Sequence, residues 1–268
     1  MESPVVKCQN PFVGPPPPEV HLPRSPLVNV LCQMRFPVVA SLEQKDFIAP
    51  FQEAIRHQYP TLVRDQGIEL SFTPQSGGFT QKVIWRMVDK SQSRRVSVGD
   101  NFLSLEMSAY PGRTRFLDAL NYVVEQLYAT IQPDFVERIG LRYINRFMFR
   151  NLVHLSEIVQ PGVLGIVHED MDEHLTSSFS ESRFRISQQT TANGKWGLLP
   201  GGQSYDPTVL PAIEEQSWIL DIDGISEERV DFAAGSIVPV VTNLADIDYR
   251  LFRFTVTDAL LREYGGTP

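Results

Sequence analysis

The stretch Arg138–Arg150, RIGLRYINRFMFR, constrains the fold more than any other part of the chain. Gly140 and the Ile, Leu, Tyr and Phe content favour a strand, and Pro133 prevents a helix from running in from upstream. In a strand, successive side chains point to opposite faces. Ile139, Leu141, Tyr143, Asn145, Phe147 and Phe149 then share one face, apolar enough to form the wall of a core. The other face carries Arg138, Arg142, Arg146 and Arg150, separated by Gly140, Ile144 and Met148. Such a strand belongs inside a sheet that is covered on its odd face. What the four guanidinium groups face is the functional question.

The remaining segments supply the cover. PLVNVLCQMRFP (26–37) alternates as a second strand, with Val28, Val30, Cys32, Met34 and Phe36 on one face. Helical spacing of Phe47, Phe51, Ala54 and Ile55 predicts a helix within 42–60, with Pro50 in its first turn. Four short strands are predicted at 68–72, 82–88, 94–99 and 102–108, joined by SGG and GDN turns. Phe116, Leu120, Val123, Leu127 and Ile131 mark a helix over 114–131. After the arginine strand come a short helix at 152–159, an acidic run HEDMDEH at 168–174 and a strand at 182–187. A hairpin turning at Asn193-Gly194, a strand at 217–225 and a closing helix from about Thr242 to Gly265 complete the series. The prediction is an α+β fold with antiparallel sheet or sheets covered by three main helices. The element order starts again at Phe135, so two related halves are expected: residues 26–133 and 134–268. Residues 1–25 contain GPPPPEVHLPRSP and are expected to form a stiff, disordered leader.

Composition narrows the function classes. With 42% hydrophobic residues among 268, the chain can bury a sizeable core. A net charge of −8 disfavours a general nucleic-acid coat but leaves room for a local basic groove. Two cysteines, Cys8 and Cys32, build neither a disulfide framework nor a zinc knuckle, and free thiols in a cytoplasmic protein are expected. There is no apolar run near the roughly 20 residues of a membrane helix, so no membrane association is expected.

PLVNVLCQMRFP, FQEAIRHQYP, ERIGLRYINR, ILDID and TVTDALLREYG, in this order from Pro26 to Gly265, resemble the landmarks of a sporadically distributed bacterial family of about this length. ERIGLRYINR is the specific piece. The resemblance implies an accessory protein of patchy distribution, associated with mobile or defence loci, and supplies no catalytic residues to carry over. The proline-rich leader and Pro200-Gly201-Gly202 depart from the family pattern.

Candidate sites are few. Neighbouring arginines of the row lie roughly 13 Å apart at about 3.3 Å per residue, too far to clamp one phosphate. They suit a polyanion along the sheet, or an internal ladder with Asp221, Asp223 and Glu106. Arg146 and Arg150, near the strand end, are the better ligand pair. Asp221 and Asp223 point the same way on a strand and can hold Mg²⁺ for phosphodiester cleavage, a weak metal signal. Trp196, beside the expected turn, is a candidate exposed anchor for a partner. There is no nucleophile elbow, phosphate loop or dinucleotide fingerprint, and no cofactor is expected. The leading expectation is a non-catalytic binding or adaptor subunit that meets a protein partner through the leader and residues 160–215. Nucleotide or nucleic-acid binding on the arginine face is the alternative, and a Mg²⁺-dependent nuclease the third reading.

Overall fold

A computed structural model of the protein describes residues 10–73, 76–167, 169–171 and 174–268. Cys8, and His168, Asp172 and Glu173 of the acidic run, lie outside the described residues.

Nine antiparallel strands form one sheet in the order β2-β3-β4-β5-β1-β7-β10-β9-β8. The first round of elements is β1 (Leu27–Arg35), α1 (Lys45–Ile55), β2 (Thr61–Thr73), β3 (Ser76–Val88), β4 (Arg94–Gly99), β5 (Phe102–Met107) and α2 (Arg113–Ile131). The short β6 (Phe135–Val136) leads into the second: β7 (Arg138–Phe147), α3 (Leu152–Ile158), α4 (Pro161–Leu164), β8 (Ser178–Arg185), β9 (Thr190–Leu199) and β10 (Ser217–Ser226). Then follow β11 (Val230–Asp231), which pairs with β6, α5 (Ala234–Thr255) and α6 (Asp258–Glu263). In each round a strand is followed by a helix, then by a meander returning from the sheet edge to pair beside that strand, then by a long helix. The two opening strands pair with each other at the centre, Cys32 opposite Leu141 and Met34 opposite Ile139.

The longer helices take one face because each carries an apolar stripe. Ile48, Phe51 and Ile55 of α1, Phe116, Leu120, Val123 and Leu127 of α2, and Ile237, Val241 and Leu244 of α5 join one core. Val30, Cys32 and Met34 of β1 and Ile139 and Leu141 of β7 meet them there. Burial pushes the Cys32 thiol up to about 12, so it stays an unreactive core group.

Local readings differ at several places. Pro50 lies well inside α1, which starts at Lys45 after a 3-10 turn. Asn193-Gly194 is mid-strand in β9 and not a turn. The chain reverses instead at Ser187–Gln189, where the Ser187 hydroxyl accepts from the Gln189 and Thr190 N–H groups. Gly194 is needed because the Trp196 ring lies over it: a Cβ there would sit 2.8 Å from the ring. The closing helix begins at Ala234, eight residues earlier than Thr242, running through Pro239, and breaks at Val256. Residues 10–25 are not a free extension. Arg250 donates to the carbonyl oxygens of Pro11, Gly14 and Pro15, and the Val20 N–H donates to the Tyr249 hydroxyl at 2.9 Å. The Tyr249 hydroxyl in turn donates to the Pro18 carbonyl, and the Phe12 ring meets Phe184 at 5.3 Å. A polyproline segment leaves its carbonyls unpaired, and α5 supplies the donors.

Candidate functional site

The even face of β7 is the side of the sheet away from the long helices. Residues 200–216 fold back over part of it, setting Val209 and Leu210 against Ile144 and Ile219. This cover decides the fate of the arginine row. Arg142 makes a two-pronged bond to Asp221, Nε to Oδ1 at 2.9 Å and Nη2 to Oδ2 at 2.8 Å, and a third to Asp206 at 3.2 Å. Tyr205 donates its hydroxyl to Asp221 at 2.8 Å. Burial alone would lower the Arg142 pKa, but the bond to Asp221 and its charge hold it above the usual value. Arg146 is buried, donates to the Pro211 carbonyl at 2.5 Å, and has its pKa lowered by that burial. Arg150 is exposed and leaves the row, because β7 ends at Phe147. Arg138 and Asp223 converge over Gly140. Glu106 pairs with Arg95 of β4 rather than with the row.

The carboxylates Asp221 and Asp223 do lie on one face, but Asp221 spends its oxygens on Arg142 and Tyr205. Among the described residues no group of three His, Cys, Asp or Glu side chains is placed to hold a metal ion. Trp196 is half-buried and packs with Leu251 of α5, so it is no exposed anchor. No helix among the described residues is long and apolar enough to cross a membrane.

A different site lies on the helix-covered face. Between β7, β10, α5, the turn before α2 and the leader is a cavity of about 310 Å³. Val20, Leu22, Ile222 and Phe252 supply apolar wall, and Tyr110, Tyr143, Asn145 and Asp248 are among the polar residues that border it. Asp248 is 1% exposed, and neither of its carboxyl oxygens has a hydrogen-bond partner. Gly224 makes room for it, since a Cβ at residue 224 would sit 2.7 Å from Oδ1. Burial pushes the Asp248 carboxyl well above the usual range, and the charges of Asp223 and Asp221 across the sheet push the same way. The Gly224 backbone offsets part of this. The Tyr110 and Tyr143 rings meet edge-on at 5.9 Å, and burial, then Tyr110, raises the Tyr143 phenol well above its usual value. Arg113 is paired with Asp246 at 2.5 Å and lies 3.9 Å from Glu19.

Reasoning from sequence missed this site, although one signal was present. Asp248 stands in the apolar stripe of α5, four residues after Leu244 and three before Leu251. A carboxyl in such a stripe is either paired or available to a ligand.

The raised carboxyl has a direct consequence for stability. A group whose pKa is higher folded than unfolded binds more protons when folded. Its stabilising contribution is therefore present below about pH 4 and lost as pH rises through the folded value. Asp248→Asn is expected to flatten the decline by up to about 1.4 kcal/mol per pH unit in that window. Urea unfolding across the window measures it, and a slope equal to that of the wild type contradicts the assignment.

No protein-family model matches the chain, and no curated protein sequence matches it.

Proposed function

We propose that this is a small-ligand-binding protein whose site is the helix-side cavity beneath the leader. The observation that carries the reading is the cavity itself, about 310 Å³ with a largely apolar wall. The cavity volume is at the small end of the range for ligand pockets, about 300–1,000 Å³. Tyr110 and Tyr143 add two aromatic walls, and the leader residues Glu19–Pro23 close one side.

This is the binding role expected from a chain with no catalytic motif, moved from the arginine face to the opposite one. The adaptor role fits the same reading. The inner side of the leader forms cavity wall while its prolines and Glu19 stay largely exposed, so ligand occupancy and any partner that meets the leader are coupled.

Saturation-transfer NMR with phenol, indole, benzylamine and 2-phenylethanol tests the site. At least one of these is expected to bind the wild type and to be lost in Ala245→Leu, which fills the cavity from α5. Binding that survives in Ala245→Leu, or no binding by any of the four, would overturn the proposal.

A further inference from the structure

The sheet ends at β8, and its outer edge is open. Among the described residues no segment pairs with the side of β8 away from β9. The register with β9 decides which backbone groups this leaves free. Neighbouring antiparallel pairs alternate between hydrogen-bonded and non-bonded, and the Ile186 N–H donates to the Thr190 carbonyl just past the strand end. At every second residue from there, Phe184, Ser182, Ser180 and Ser178 turn their N–H and C=O groups to β9. Phe179, Glu181, Arg183 and Arg185 turn theirs outward. Such a row is a template for another strand. Its side chains select which one. Phe179, Glu181, Arg183 and Arg185 share the face away from the long helices, and all four are exposed. Phe184 points the other way, to Phe12 of the leader. Phe179 meets Tyr205 edge-on and is still 45% exposed. The ion pair of Glu181 with Lys195 is long, at 3.6 Å, and exposed on both sides. Arg183 and Arg185 have no ion pair with any described residue.

We infer that the partner of this edge is a second copy of the chain: two β8 strands pair antiparallel, with Ser182 on the two-fold axis, and the sheet continues across the dimer. Charges of one sign would keep copies apart in every register, but β8 carries both signs. Centred on Ser182, Glu181 of each copy faces Arg183 of the other, and symmetry makes the pair twice. Phe179 then faces Arg185, a ring beside a guanidinium. Centring on Glu181 or on Arg183 instead sets like charges face to face at the middle of the contact. Centring on Phe184 sets Arg183 against Arg185, and centring on Ser180 forms no ion pair. Ser182 is the one centre that pairs opposite charges without a like pair. The same register also brings the outward N–H and C=O groups opposite one another, four residue pairs exchanging two bonds each, about eight in all. A contact one strand wide is small among specific interfaces, so the dimer is reversible and fills with concentration.

Sedimentation velocity of the full chain tests this, with monomer expected at low micromolar and dimer at several hundred micromolar concentration. Glu181→Arg sets arginine against Arg183 and is expected to weaken association about tenfold or more. The exchanged variant, Glu181→Arg with Arg183→Glu, restores the opposite pairs and is expected to recover it. In a Cys8→Ser background, Ser182→Cys is expected to form an interchain disulfide on mild oxidation. A non-bonded antiparallel pair holds its Cα atoms about 4.5 Å apart, within disulfide reach. Ser180→Cys, roughly 13 Å from its counterpart in this register, is expected to stay unlinked. A wild type that remains monomeric throughout overturns the proposal and leaves the edge to a strand of another protein. A dimer indifferent to Glu181→Arg, or linked through Ser180→Cys and not through Ser182→Cys, overturns it as well. The wild-type series and the exchanged variant decide the matter even if Glu181→Arg does not fold.

Discussion

Replacing Arg142 by alanine is expected to lower the unfolding free energy by about 3 kcal/mol, since it leaves Asp221 a buried carboxylate without its counter-charge, held by the Tyr205 hydroxyl alone. For a chain of this length that is a fall in Tm of roughly 5–10 °C. The cost is large because Arg142 serves several partners at once: Asp221 through two bonds, Asp206 of the covering segment through a third, and Tyr205 through the shared carboxylate. Arg150→Ala, at an exposed position past the strand, is expected to stay within about 0.5 kcal/mol of the wild type. Thermal unfolding of the two variants side by side measures the contrast. If Arg142→Ala kept its Tm and lost affinity for a nucleotide or oligonucleotide, the arginine face would be a ligand surface after all.

Deletion of residues 1–25, so that the chain begins at Pro26, is expected to have the second large effect. It removes Phe12, Val20 and Leu22 from the apolar surface they cover and leaves the Arg250 guanidinium without three backbone acceptors. Three half-buried apolar side chains and these bonds are together worth about 3 kcal/mol. The same deletion takes away one wall of the cavity, so ligand affinity is expected to drop about tenfold or more with the lost contact area. A truncated chain with unchanged Tm and unchanged affinity would show the leader to be the free extension its proline content suggests.

Much of the architecture can be read from the residues because it rests on local periodicity. The alternation in β1 and β7 places Cys32, Met34, Ile139 and Leu141 on the core side, and the stripe of α2 at spacings of three and four fixes its buried face. The misreadings share a cause in tertiary contacts. Asn193-Gly194 looks like a turn because glycine after asparagine suits one, yet here the glycine makes space for Trp196. The closing helix is expected only from about Thr242, yet α5 starts at Ala234 and runs through Pro239 because Ile237 and Val241 on either side bury against the sheet. The site was hidden for the same reason. Parity puts Arg138, Arg142 and Arg146 on one face, but only the return of residues 200–216 across the sheet buries Arg146 and brings Tyr205 and Asp206 to the Arg142 pair. Asp248 carries no motif. Its significance comes from Gly224 opposite, Tyr143 two strand positions from Asn145, and a leader folded back from more than 200 residues away in sequence.

The most direct measurement is native mass spectrometry of the full chain purified gently from its own cells, beside Ala245→Leu prepared in the same way. The account predicts one small-molecule adduct per wild-type chain that is absent from the folded, cavity-filled variant. A wild type carrying no small molecule, or an adduct equally present in both proteins, would contradict it.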